Sequence, residues 1–248
     1  HAAVGMTTAG DGFEHLADEV LFRPVRSGNS FEDTVARLLQ TIRLGVVQPG
    51  EPLPPERDLA ARFSVSRDTV RDAIRSLSDA GYLVSRRGRY GGTFVSDSLP
   101  HPVTAGEVVL DAAEIDDVLG LRGILEVGTA RAAAERELSS ADRELLWTRL
   151  RETAAASVDD YRRFDSRLHL TIGEVVGIPS LVSLLADNRT RVNQLLDGIP
   201  LLARNIEHSN QQHEDIVVAI LTGNADRAAR AMGEHLEGSA ALLRGFLS

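Results

Sequence analysis

Residues 49–95 read PGEPLPPERDLAARFSVSRDTVRDAIRSLSDAGYLVSRRGRYGGTFV, and their spacing decides the architecture of the first third of the chain. Pro54-Pro55 precede Glu56–Phe63, and proline is tolerated in a first helical turn, so a short helix is predicted there. Ser66 is a suitable N-cap for a following helix that carries Val70, Ile74 and Leu77 on one face and ends near Gly81. Tyr82–Val84 and Thr93–Val95 are β-type runs on either side of RRGRYGG at 86–92, the pattern of a hairpin. Upstream, Phe31, Val35, Leu38, Leu39 and Ile42 recur at helical spacing, which predicts a helix over 31–44 stopped by Gly45 and Pro49-Gly50. Helix, short turn, helix and an arginine-tipped hairpin together outline a winged helix-turn-helix.

Such a unit suits double-stranded DNA. The second helix of the pair enters the major groove and presents its first-turn side chains to base edges. Here that turn is Ser66-Arg67-Asp68-Thr69-Val70-Arg71. Arg67 and Arg71 are four residues apart and share a helix face, and an arginine can bond guanine O6 and N7 together. Thr69 can touch a thymine methyl or a phosphate. Arg86, Arg87 and Arg89 stand at the hairpin tip, where phosphates or the minor groove are within reach. The charge agrees. The whole chain carries −9, yet residues 31–95 hold 10 Arg against 8 acidic groups while residues 101–248 hold 15 against 23, so a basic unit is joined to an acidic one.

Beyond Ser96–Thr104, a linker with Pro100 and Pro102, every segment has helical spacing. Six helices are predicted over 114–137, 140–156, 158–176, 180–196, 203–221 and 225–246, with a short extra one over 107–113. The expected organisation is a flexible arm over 1–28, the winged unit over 29–97, a linker over 98–106 and an all-α bundle over 107–248. The fold class is mainly α.

Four polar residues sit on the apolar faces of that bundle. Asp165 and His169, four apart, line up with Leu168, Ile172 and Val176. His213 shares a face with Ile216, Val217 and Ile220, and His235 with Met232 and Leu242. Bundles build metal sites from inward side chains of facing helices, and three imidazoles with one carboxylate suit Zn²⁺, Ni²⁺, Mn²⁺ or Fe²⁺, among which spacing does not choose. The competing reading is four core residues that hydrogen-bond among themselves, since an unsatisfied buried polar group costs about 1–3 kcal/mol.

The motifs LPPERDLA, VSRDTVRDAI, AGYL and the wing GTFV occur in this order, and by them residues 49–95 resemble the DNA-binding domain of the GntR family of bacterial transcription regulators. LRGILEVGTARAAAE, FDSRLHLTI and HEDIVVAILTGNADRAARAMGEHL resemble the FCD effector domain of that family's FadR subfamily. Pro55 stands where the family usually has a capping Ser, and Gly223-Asn224 replaces a common Gly-Asp. The resemblance implies phosphate contacts for Arg57, phosphate or base contacts for Ser66, Arg67, Thr69 and Arg71, and a wing tip at Arg87-Gly88 near the minor groove. It implies that Asp165, His169, His213 and His235 ligate a metal. It also directs Arg122 toward an effector pocket, whereas the residues alone offer an i,i+4 ion pair with Glu126. Arg189, Asn193 and Ser209 are further candidates for the pocket wall. The implied partners are an operator with an inverted repeat, a second copy of the chain and a small organic acid whose binding releases DNA.

Other classes are narrowed by composition. Cysteine is absent, which excludes disulfides, thiolate metal sites and cysteine nucleophiles. No run approaches ~20 apolar residues and no leader pattern is visible, so no membrane partner and a cytoplasmic location are expected. Three His and an Asp with an open position could activate water as in a metallohydrolase, but no HExxH-type signature accompanies them. A purely structural metal is the third reading.

Overall fold

The computed structural model describes residues 24–25, 28–43, 46–100 and 111–247. The predicted stop at Gly45, nearly all of the expected arm, the linker beyond Pro100 and most of the predicted short helix over 107–113 lie outside them. The chain divides into two compact units, His1–Pro100 and His101–Ser248.

In the first unit, α1 (Ser30–Arg43) buries Phe31, Val35, Leu38, Leu39 and Ile42, the stripe its periodicity marks. α2 (Glu56–Phe63) starts behind Pro55, which offers no side-chain cap. Its carbonyl instead accepts from the Asp58 and Leu59 amides at 2.8 and 3.0 Å. α2 ends at Ser64, the only non-glycine with positive φ among the described residues (φ 55°). That left-handed residue turns the chain sharply into α3 (Arg67–Asp79), where Ser66 Oγ caps by accepting from the Thr69 amide at 3.0 Å. Val70, Ala73, Ile74 and Leu77 then point into the core.

β1 (Leu83–Arg86) and β2 (Gly92–Val95) pair antiparallel with Leu83 opposite Val95 and Arg86 opposite Gly92. The wing is wider than the predicted hairpin. Residues 50–53 run along the free edge of β2: the Gly50 amide donates to Val95 O, the Val95 amide to Glu51 O and the Leu53 amide to Thr93 O, at 2.8–2.9 Å. Pro52 interrupts the strand pattern in sequence, yet an edge position asks no donor of it.

The second unit is a bundle of α4 (Ala112–Glu135), α5 (Ser140–Ala154), α6 (Tyr161–Val176), α7 (Pro179–Asp197), α8 (Ala203–Leu221) and α9 (Ala225–Leu247). α4 packs against α6, α7, α8 and α9, so it reaches every helix that bears a candidate ligand. It begins two residues before the predicted start because Asp111 and Glu114 form a reciprocal capping box, with bonds of 2.8 and 3.0 Å. It ends at Glu135, two residues early, where Arg136 turns extended and donates to Val176 O at 2.9 Å. α6 begins three residues later than predicted, after a turn in which Ser157 Oγ accepts from the Asp160 amide. Ala130, Ala133, Leu146, Leu168, Ile172, Ile216, Val217, Ile220 and Met232 centre one apolar core. Gly173 brings α6 against α7, since a Cβ there would come within 2.4 Å of Leu185 Cδ1.

Candidate nucleic-acid interface and metal centre

The DNA-facing candidates of the first unit are in water. Arg57 is 81% exposed, and Ser66, Arg67, Arg87 and Gly88 are exposed while Thr69 is half-buried. They are not equivalent. Ser66 is engaged as the N-cap and lies 2.8 Å from Thr69 Oγ1. Arg71 donates to Asp68 at 3.1 Å and to Glu56 at 3.3 Å, so it must leave two carboxylates to reach a base. Arg67 has no ion pair among the described residues. At the wing, Arg86 stacks over the Phe94 ring at 4.3 Å and belongs to its own hairpin, while Arg87 and Arg89 extend outward. Gly88 holds φ 109°, and a Cβ on Gly91 would fall 2.5 Å from Arg86 O, so this tip needs both glycines.

In the second unit Asp165, His169, His213 and His235 come together. One ligand atom from each lies within 4.8 Å of the others, and all four residues are buried. His213 Nε2 is 3.1 Å from His235 Nε2, 3.3 Å from His169 Nε2 and 3.1 Å from Asp165 Oδ1. The α6 pair meets the cluster because i,i+4 spacing aligns it, and α8 and α9 each add one imidazole.

A supporting set of bonds orients the rings. His169 Nδ1 bonds Glu126, whose other oxygen accepts from Arg122 Nε at 3.1 Å. His235 Nδ1 lies 3.1 Å from Gln212 Oε1, whereas His213 Nδ1 is buried with no hydrogen-bond partner. An Nδ1–H donated to an oxygen leaves Nε2 with its lone pair facing the cluster, as metal-bound imidazoles require. Burial first, then neighbouring His169 and Arg189, push His213 well below the ordinary imidazole value, and burial with His213 does the same to His235. Both are therefore neutral at pH 7. Burial is also the largest influence on Glu126 and would raise it, but His169, Arg122 and Arg189 together hold it well below the usual carboxylate range. His213 Nε2 faces the Asp165 carboxylate and the His235 Nε2 at 3.1 Å each, and a single N–H there could serve only one of them. The donor set thus fits a divalent ion better than it fits a self-satisfied core.

Beside the cluster is a cavity of about 50 Å³, several times the ~10–15 Å³ one water needs. Arg122, Asp165, Ser209 and His235 form part of its polar wall, and Ile199, Leu201 and Leu242 part of its apolar one. Of the four predicted effector residues, Arg122 and Ser209 line the cavity. Arg189 and Asn193 stand behind it: Arg189 pairs with Asp165 and donates to Ser166 Oγ at 3.0 Å, and Asn193 Nδ2 donates to Ser166 Oγ at 3.1 Å. Burial, then Arg122, lower Arg189 to about 10, so it stays a cation near neutral pH. The Arg122–Glu126 pair offered by i,i+4 spacing is present and buried, at 2% and 6% side-chain exposure. Arg122 therefore keeps the ion pair and lines the cavity at once.

Residues 31–95 match the family model of bacterial regulatory proteins of the gntR family, and residues 117–238 match that of the FCD domain. RmpR of Mycobacterium gastri, described as an HTH-type transcriptional regulator, is 30% identical over 215 residues, 82% of this chain and 76% of the relative. The chain is a GntR-family transcription regulator. A similar protein of Escherichia coli K12, named for regulation of an L-lactate dehydrogenase operon, is 29% identical over 226 residues, 86% of this chain and 84% of the relative. The transcriptional repressor NanR of Cronobacter sakazakii is 29% identical over 236 residues, 86% of this chain and 85% of the relative. Membership sets aside the hydrolase alternative, since the matched family and these relatives are regulators. No described helix is long and apolar enough to cross a membrane.

Sequence reasoning missed Glu126 and Gln212 as orienting groups, and Tyr161 and Arg162 in the cavity wall. Glu126 carries a signal, because an acid falls on the buried stripe of α4 that includes Val118, Leu119, Ala130 and Ala133. Gln212 carries none, since its partner lies on another helix.

Proposed function

We propose that this GntR-family regulator binds an inverted-repeat operator as a homodimer in the bacterial cytoplasm and is released by a small carboxylate. Asp165, His169, His213 and His235 would hold one divalent ion, Zn²⁺ foremost. The bound ion would supply a Lewis-acidic centre for an effector oxygen. Arg122 lines the adjoining cavity with one buried Nη1 that has no hydrogen-bond partner, which suits it to grip a carboxylate. Glu126 fixes both Arg122 and His169, so it would tie the effector grip to the ligand set. On the first unit, Arg67 would read bases, with Ser66, Thr69 and Arg71 beside it, while Arg57 and Arg87-Gly88 would hold phosphates and the wing groove.

The observation that carries this reading is the buried convergence of one carboxylate and three imidazoles beside a cavity that contains Arg122. Its test begins with thermal-shift screening of small organic acids on metal-loaded and chelated protein. Acids should stabilise the loaded form alone, and His213→Ala should lose both metal and response. Calorimetric titration of a hit, with and without DNA selected by the protein from a random library, measures coupling. A regulatory effector binds DNA-bound protein more weakly by the same factor by which it weakens DNA binding, typically ~5–150-fold. Identical affinities would refute the coupling and leave a metal that only braces the bundle.

A further inference from the structure

The cavity has a second cation that the reading above does not use. Arg162, on the first turn of α6 and three residues before Asp165, lines it along with Arg122. Its Nη2 donates to Ile199 O at 3.2 Å. Its Nη1 is buried without a hydrogen bond and reaches Asp197 Oδ1 only at 3.5 Å, a loose ion pair whose carboxylate is 61% exposed. Next to it, the Tyr161 hydroxyl is near Ser209, yet no atom meets it in hydrogen-bond geometry. Three buried donors on residues of one cavity wall therefore make no hydrogen bond: Nη1 of Arg122, Nη1 of Arg162 and the hydroxyl of Tyr161.

A desolvated guanidinium demands an anion more than a neutral partner. Glu126 already supplies one to Arg122. Arg162 has only Asp197, which can swing into water when a better acceptor arrives. We infer that the effector carries a second anionic group, and that Arg162 binds it while Arg122 and the metal-binding cluster take the first. This deepens the proposed function and rests on it. Arg162 thus becomes the residue that selects acids with two anionic ends over simple monocarboxylates. The second group is a carboxylate or a phosphate, since a guanidinium fork accepts both.

Three probes that share a 2-hydroxycarboxylate head decide the matter: L-lactate, L-malate and 3-phosphoglycerate, titrated calorimetrically into zinc-loaded full-length protein. Malate or phosphoglycerate should bind ~10–100-fold tighter than lactate, the range expected for a charge-assisted contact. Which of the two is tighter identifies the second anion. Arg162→Gln should erase that advantage while leaving lactate affinity within about twofold, and Arg162→Lys should keep part of it. The thermal unfolding midpoint and zinc content of each variant report whether it has folded around its metal. Equal affinity of the unaltered protein for all three probes overturns the inference, as does an equal loss of all three in Arg162→Gln; in either case lactate binding by the unaltered zinc-loaded protein leaves the effector reading standing. Failure of every probe to bind zinc-loaded protein removes the effector reading and this inference together.

Discussion

Arg67 and Arg189 carry the same guanidinium in opposite surroundings. Arg67 opens the recognition helix exposed to water, whereas Arg189 is buried in the bundle against Asp165 and Ser166. In water a charge costs the fold nothing, so the winged unit can display arginines for a partner. In the bundle each charge must be matched at once, and the matching groups are the candidate site itself. Stability and function should therefore separate in the first unit and coincide in the second.

The largest expected effect is in the bundle. Asp165→Ala strips Arg189 of its carboxylate and should destabilise the protein by about 3–5 kcal/mol, as breaking a buried pair does. Urea unfolding measures it, and a loss under 1 kcal/mol would show that Arg189 finds another acceptor. Glu126→Gln keeps the shape but removes the charge behind His169 and should weaken metal binding ~10–100-fold, read by competition with a chromogenic chelator. In the winged unit, Arg67→Ala should cost about 1–3 kcal/mol on selected DNA and blur sequence preference, while Arg57→Ala weakens all duplexes alike. Both variants should unfold within about 0.5 kcal/mol of the unaltered protein. A large stability loss for Arg67→Ala would break the contrast between the two regions.

The smallest effect sharpens the contrast at high pH. Burial pushes the Tyr161 hydroxyl up to about 12, ahead of the smaller opposing effects of Ser209 and Arg189. A folded pKa above the unfolded value of about 10 means that the neutral phenol contributes stability fully below pH ~10. That contribution is lost as pH rises toward 12, with a slope of at most about 1.4 kcal/mol per pH unit. Tyr161→Phe should remove this part of the profile, and an unchanged slope would assign the loss to other groups.

Local order was legible where one helix or one turn contains its own explanation. Ser66 caps α3 because a cap is a contact three residues long, and Asp165 meets His169 because a helix brings i and i+4 to one face. The same rule left the bridging segment at 50–53 unread, because Pro52 breaks the pattern and only pairing with β2 ties those residues to the sheet. It also left Arg162 unread, although i,i+3 spacing from Asp165 was available.

The sequence by itself determined the two-unit plan, the recognition helix and which side chains of α6, α8 and α9 face inward, because burial imposes a period of 3.6 residues that a single segment records. Tertiary structure alone decided which inward groups meet. Glu126 reaches His169 across 43 positions and Arg189 reaches Asp165 across 24. Those meetings depend on how far one helix slides and turns against another, which close packing of residues such as Gly173 and Leu185 sets and no periodicity encodes.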